Sequence, residues 1–172
     1  SAAAPCVALF HGLEGSSSSH YARSLMRTIA RAGWNGVVVH FRGCSGEANR
    51  LPRAYHSGDA PEIGWILACL AQTRRPLYAA GVSLGGNALL KWLGETGAAA
   101  GSHLLAAAVV SAPLDLMASG AALGQGLNLI YTRMFLSSLR RKSVEKLARF
   151  PGLFERAGVL RARTLREFDN VV

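Results

Sequence analysis

The sequence predicts an α/β fold: a mostly parallel sheet flanked by helices. Three observations carry this. Short apolar runs alternate with amphipathic helical patterns, the loops between them are short, and half of the 172 residues are hydrophobic with only 17% charged. The last is enough for a single core and excludes a disordered tail. Strands covered on both faces read as continuous apolar runs, because helices bury either side of a parallel sheet.

The first element is "CVALF" (6–10), a buried strand entering the loop "HGLEGSSSS". Ala22, Leu25, Met26 and Ile29 then recur at i, i+3, i+4, i+7, one face of a helix that Ser19 can cap and Gly33 can end. "GVVVH" (36–40) is rich in β-branched residues and reads as a second buried strand. The loop "FRGCSGEANRLPRAYHSG" follows. Asp59, three before Glu62 and with Pro61 in the first turn, is a capping-box-like start for a helix whose apolar face is Ile63, Ile66, Leu67 and Leu70.

"PLYAAGV" (76–82) is the third strand, and Leu89, Trp92 and Leu93 mark a helix ending near Gly94 and Gly97. "LLAAAVVSAP" (104–113) reads as a fourth strand, although its alanines also permit a helix. After Pro113, "LNLIYTRMFLSSLRRKSVEKLARF" mixes aromatic, leucine and basic residues at helical spacing, and "PGLF" at 151 breaks the helical run. Residues 1–115 are thus expected to form an α/β core and 116–172 a helical cap or lid region.

Chemistry concentrates in "LYAAGVSLGGNALLKWL" (77–93). Gly81 and Gly86 have the outer spacing of a phosphate-binding P-loop, but Asn87 and Ala88 stand where that loop needs Lys and Ser/Thr. A GxGxxG dinucleotide loop fails because Ser83 stands two after Gly81. The stretch does match G-x-S-x-G, Gly81-Val82-Ser83-Leu84-Gly85, between an apolar strand and an amphipathic helix. This is the pattern of a nucleophile elbow, in which a strained turn exposes a serine and flanking glycines let other backbone pass closely. "FHGLEGSS" after the first strand has the form of the loop that supplies a second oxyanion donor, which makes the Leu13 and Leu84 N–H groups the expected pair.

These residues resemble the α/β-hydrolase fold family and, within it, the YheT-like group of bacterial hydrolases. That group is similar to animal abhydrolase-domain lipases and yeast ethyl-ester acyltransferases. The resemblance rests on "HGLEGSS", "HFRGCSGEANRLPRAYHSGD", "GVSLGGN", "VVSAPLDL" and "REFDN", and covers essentially the whole chain. It implies a serine hydrolase of carboxylic esters, of carboxylesterase or lipase type, acting on a small-molecule or lipid ester without metal or organic cofactor. Acyl transfer to an alcohol on the same site is the alternative. Of the family's Ser, Asp and His triad only Ser83 carries over, and Leu13 and Leu84 match the oxyanion positions.

The sequence departs from the family at the other two members. The fold's chain order is Ser, then Asp or Glu, then His. After Ser83 the one histidine is His103, and Asp115, Glu145, Glu155, Glu167 and Asp169 have no histidine after them. The family's first strands and its last two would fall outside residues 1–172. The sequence therefore reads as an internal piece of a longer hydrolase, incomplete at both ends and expected to be inactive alone.

The remaining polar residues have plainer readings. His11 is expected to orient the oxyanion loop, His40 to be a packed histidine, and His20 and His103 to be surface or cap residues. His56, in "AYHSG", could approach the site from a loop. Asp115 is either a displaced triad acid or a helix N-cap. Arg42 and Glu47 are expected to hold the RGCSGE loop by ion pairs, and Cys44 to be inert. The stripe Tyr131, Phe135 and Leu139, at i, i+4, i+8, is expected to be ordinary helix burial, with an acyl-pocket lining as the functional alternative.

Charge supplies the rival reading. Of the net +9, residues 130–172 hold +6, from ten Lys/Arg against four acids. A non-catalytic basic module binding anionic lipid or nucleic acid would use that segment. Its charges are interleaved with core-type residues and match no nucleic-acid motif, so nucleic acid is not expected, whereas contact with a membrane surface is allowed. No apolar run is long enough to cross a bilayer, and no basic stretch precedes the first apolar run as in a secretion signal. The three cysteines, Cys6, Cys44 and Cys69, have no paired spacing, which suggests a reducing, cytoplasmic compartment and neither a disulfide framework nor a metal site.

Overall fold

Each apolar run becomes a strand, and the computed structural model describes them within residues 4–172. The strands are β1 (Cys6–Phe10), β2 (Asn35–Val39), β3 (Leu77–Val82) and β4 (Ala106–Val110). They form one all-parallel sheet in the order β2-β1-β3-β4. The crossovers are α1 (His20–Arg31), α2 (Ala60–Ala71) and α3 (Leu84–Thr96), the last followed by a 3₁₀ stretch, Gly97–Ser102. Four further helices follow: α4 (Leu116–Leu123), α5 (Leu129–Arg149), α6 (Arg156–Arg161) and α7 (Leu165–Asp169).

The chain divides into two compact units. The first holds the sheet and α1–α3, from the N-terminal side to Ser45 together with Tyr55–Pro113. On one face of its sheet, Cys6, Ala8, Phe10, Leu77 and Ala79 share a core with Ile63 and Leu67 of α2 and Ala88, Leu89 and Trp92 of α3. Burying a side chain as large as Leu89 removes about 1.5–3 kcal/mol of unfavourable exposure. Leu9, alternating to the opposite face, is also fully buried, as is Ala22 of α1.

The middle and edge strands differ, which the sequence does not distinguish. β2 was expected to be buried but is only partly so, and β4 is mostly exposed, because both are edges of the sheet. The expected capping box at α2 is also modified. Asp59 takes the N-cap position and is buried, but Glu62 pairs with Arg42 (Nε to Oε2, 3.0 Å) instead of closing the box. That bond holds the start of the RGCSGE loop.

The second unit comprises Gly46–Ala54 and Leu114–Val172. Its core is Leu136, Val159, Ala162 and Phe168. α5 buries Thr132, Leu136 and Ser143; of the expected stripe, Leu139 packs against this core and Phe135 is half-buried, whereas Tyr131 is 56% exposed. The inward face lies one residue further round, since Thr132 can enter the core by donating to the Leu123 carbonyl at 2.6 Å. Lys146 and Arg149 donate to the carbonyls of Pro52 and Asn49, both at 3.0 Å, and so tie the Gly46–Ala54 segment to α5. Burial lowers the Lys146 ammonium below its usual range.

Candidate active site

Strand order locates the candidate site. β1 leads to β2 on one side and β3 to β4 on the other, so the loops leaving β1 and β3 diverge between neighbouring strands. In open α/β sheets that divergence, at the carboxyl ends, is where ligands bind. Phe10 pairs with Gly81 in the β1–β3 ladder, so Gly12 and Ser83, each two residues further on, come side by side. A Cβ built on Gly12 would stand 3.2 Å from the Ser83 Cβ, which leaves room for backbone and for little else.

Ser83 is the N-cap residue of α3, with φ 50° and ψ −118°. A positive φ in a non-glycine residue costs about 1–3 kcal/mol and persists only where its surroundings enforce it. Here they do. The Ser83 N–H donates to the Val110 carbonyl at the end of β4, and its own carbonyl accepts from Asn87 N–H, both at 2.9 Å. The flanking glycines are required by close backbone. A Cβ on Gly81 would lie 2.6 Å from the Gly86 Cα, and one on Gly85 would collide with the carbonyl oxygens of Phe10 and His11. Leu84 is the first residue of α3, where a main-chain N–H has no helical carbonyl to bond and the helix dipole is positive.

The β1–α1 loop is held on both sides of Leu13. Gly12 N–H donates to the Tyr21 hydroxyl and Glu14 N–H to the Tyr55 hydroxyl, each at 2.9 Å. Tyr55 in turn donates to Glu14 Oε1 at 2.8 Å and stacks on Phe41 at 5.4 Å, 4° from parallel. Burial first, then the neighbouring Cys44 and Glu14, push the Tyr55 phenol far above its ordinary range, so it stays neutral and can donate. Glu14 itself has φ 56°, so the loop turns sharply just after Leu13.

The histidines are engaged by backbone and by other side chains. His11 is fully buried; its Nε2 accepts from Phe41 N–H (3.1 Å), which puts the proton on Nδ1, 2.8 Å from the Gly12 carbonyl. Its ring thus links the start of the oxyanion-loop candidate to the backbone that follows β2. His40 Nε2 accepts from Ser17 N–H at 2.8 Å, bracing the same loop further along. His56 lies 3.7 Å from Asp59, and His103 meets Trp92 edge-on. Asp115 is the N-cap of α4 and accepts from Ala118 N–H at 2.9 Å. Glu47 approaches Arg50 at 3.7 Å on the surface. Cys44 and Cys6 are buried, and burial raises the Cys6 thiol; Cys69 is exposed.

Three contributors escaped the sequence reading. Tyr21 and Tyr55 look like helix and loop residues, and their signal was indirect: a loop with unpaired amides needs acceptors. The third, Asn87, donates from Nδ2 to the Pro113 carbonyl (2.8 Å), fixing the segment after β4 against α3. Ser111 in that segment also has a positive φ, 51°.

Residues 5–156 match the family described as alpha/beta hydrolase fold. The chain is 41% identical to YheT of Escherichia coli (strain K12), an esterase by inference, over 98% of this chain and 50% of that protein. It is 30% identical to the mouse phospholipase ABHD3 over 96% of this chain and 41% of the relative. Against a monoacylglycerol lipase of Saccharomyces cerevisiae the identity is 29%, over 99% of this chain and 40% of the relative. The chain spans half or less of the length of these curated relatives.

Proposed function

The chain belongs to the α/β-hydrolase fold family, and from that membership we propose that it is the nucleophile-bearing part of a serine esterase. Ser83 Oγ attacks the carbonyl carbon of a carboxylic ester. Its proton passes to a histidine, oriented by an acid, that lies outside residues 4–172. The oxygen that becomes negative accepts from the Leu13 and Leu84 N–H groups. The alcohol leaves with the histidine's proton, and water then attacks the acyl-enzyme by the same route in reverse. An alcohol in place of that water makes the reaction an acyl transfer.

The observation that carries this reading is the backbone of Ser83. A positive φ on a serine, between a strand and a helix and beside Gly12, is a strained conformation that a plain turn would relieve with glycine. The engagement of His11, His40 and His56 with other groups supports an external base. Without one, a serine hydroxyl is a weak nucleophile near neutral pH, and the 172 residues alone should hydrolyse p-nitrophenyl esters negligibly.

A fluorophosphonate probe tests the reading on the protein extended to include the triad histidine and acid. Covalent labelling should map to Ser83 and vanish in Ser83→Ala. Labelling of another residue, or full ester turnover by Ser83→Ala, overturns it.

A further inference from the structure

The second unit carries an apolar surface that its own core leaves uncovered. Leu114, Met117, Leu127, Ile130, Tyr131 and Met134 are each 56–84% exposed. On α5 the last three lie about half a turn round from the buried Thr132 and Leu136. Monomeric proteins keep contiguous exposed apolar patches small, so a run of this kind marks a contact surface.

Charge selects the partner. α5 carries six basic residues, Arg133, Arg140, Arg141, Lys142, Lys146 and Arg149, against one acid, Glu145. Arg133 flanks the apolar face, Arg141 continues it two turns on, and both are exposed. Asp115, at the other end, is occupied as the α4 N-cap. A second copy would set like charge against like in a chain of net +9. An anionic bilayer meets both halves of the surface. Leu, Ile and Met side chains enter the acyl boundary, Tyr131 sits at the interface, and arginines reach the headgroups with their stems in the apolar layer. Among the described residues no helix is long and apolar enough to cross a membrane, so the contact would lie in the membrane plane.

We propose that the exposed face of α4 and the first half of α5 docks this protein peripherally on anionic lipid. The inference stands apart from the chemistry of Ser83, and its readout is binding, so either can fail alone.

Vesicle flotation of the protein extended as for the probe experiment tests it, using phosphatidylcholine with about one-third phosphatidylserine and, in parallel, phosphatidylcholine alone. The chain should float with the anionic vesicles only, and less so as salt rises. Leu127→Ser/Ile130→Ser/Met134→Ser should lower partitioning about a hundred-fold. Arg133→Glu/Arg141→Glu should lower it by about thirty-fold or more and flatten the salt dependence. Trp65→Ser, which removes an exposed aromatic of α2 in the first unit, should change nothing. Should circular dichroism show the triple variant to be unfolded, the charge-reversal pair decides alone. Any of four results overturns the proposal: no flotation of the unmodified chain, equal flotation with both vesicles, an equal loss in Trp65→Ser, or a concentration-dependent dimer that the triple variant abolishes.

Discussion

Glu14 and Tyr55, 41 residues apart, exchange two hydrogen bonds: the Glu14 N–H donates to the Tyr55 oxygen, and the Tyr55 hydroxyl donates to Glu14 Oε1. The RGCSGE-containing loop thereby fixes the one after β1, and with it the Leu13 amide. Tyr55→Phe keeps the ring on Phe41 but leaves the Glu14 N–H without its acceptor. Chemical denaturation should show a loss of about 1–3 kcal/mol. On the proposed mechanism, kcat of the extended protein should fall with KM little changed, because the Leu13 amide would then act mainly in the transition state.

The same phenol sets a limit at high pH. Its folded pKa is raised, so the folded state keeps a proton that the unfolded chain releases near pH 10. The contribution is complete below about pH 10 and is lost above it, at about 1.4 kcal/mol per pH unit. Urea melts at about pH 9, 10 and 11 should therefore show steepening instability, and Tyr55→Phe should remove that part of the slope.

Strain at Ser83 makes a paired prediction. Ser83→Gly should raise stability by about 1 kcal/mol or more, since glycine accepts φ 50° freely, while abolishing probe labelling. Ser83→Ala should abolish labelling without the gain. Thermal melts of the two variants beside the unmodified chain separate relief of strain from loss of the hydroxyl. Equal melting points would refute a strained elbow.

The glycines should divide by their neighbours. Gly85→Ala places a methyl against the Phe10 and His11 carbonyls and should cost more than about 4 kcal/mol, seen as failure to accumulate folded protein. Gly94→Ala, in the same helix with nothing within 4 Å, should instead stabilise by about 0.5–1 kcal/mol.

Periodicity made the sheet and its three crossover helices legible, because a strand run and a helical face leave different spacings. It also put Ser83 at the junction of the third strand and its helix, where the structure has it. It did not show which strands are edges: "GVVV" and "AAAVV" are as apolar as the central runs, and exposure depends on strand order. Nor did it orient α5, where Tyr131 and Thr132 compete for the core and the hydroxyl's bond to Leu123 decides. Tyr21 and Tyr55 could not be read at all as loop clamps, because each accepts from a main-chain amide that any residue type could offer, and the Tyr55–Glu14 carboxylate contact spans 41 residues.

Strand order also governs how the chain must fold. β1 pairs with β3, whose residues arrive about seventy positions later. During synthesis "CVALF" has only β2 beside it until Leu77–Val82 leaves the ribosome, and its other edge waits open. The bend at Ser83 can close only after that, and after β4 supplies the Val110 carbonyl. Slower translation before residue 77, or a chaperone that shields the first strand, should therefore raise the yield of folded protein more than any change within the helices.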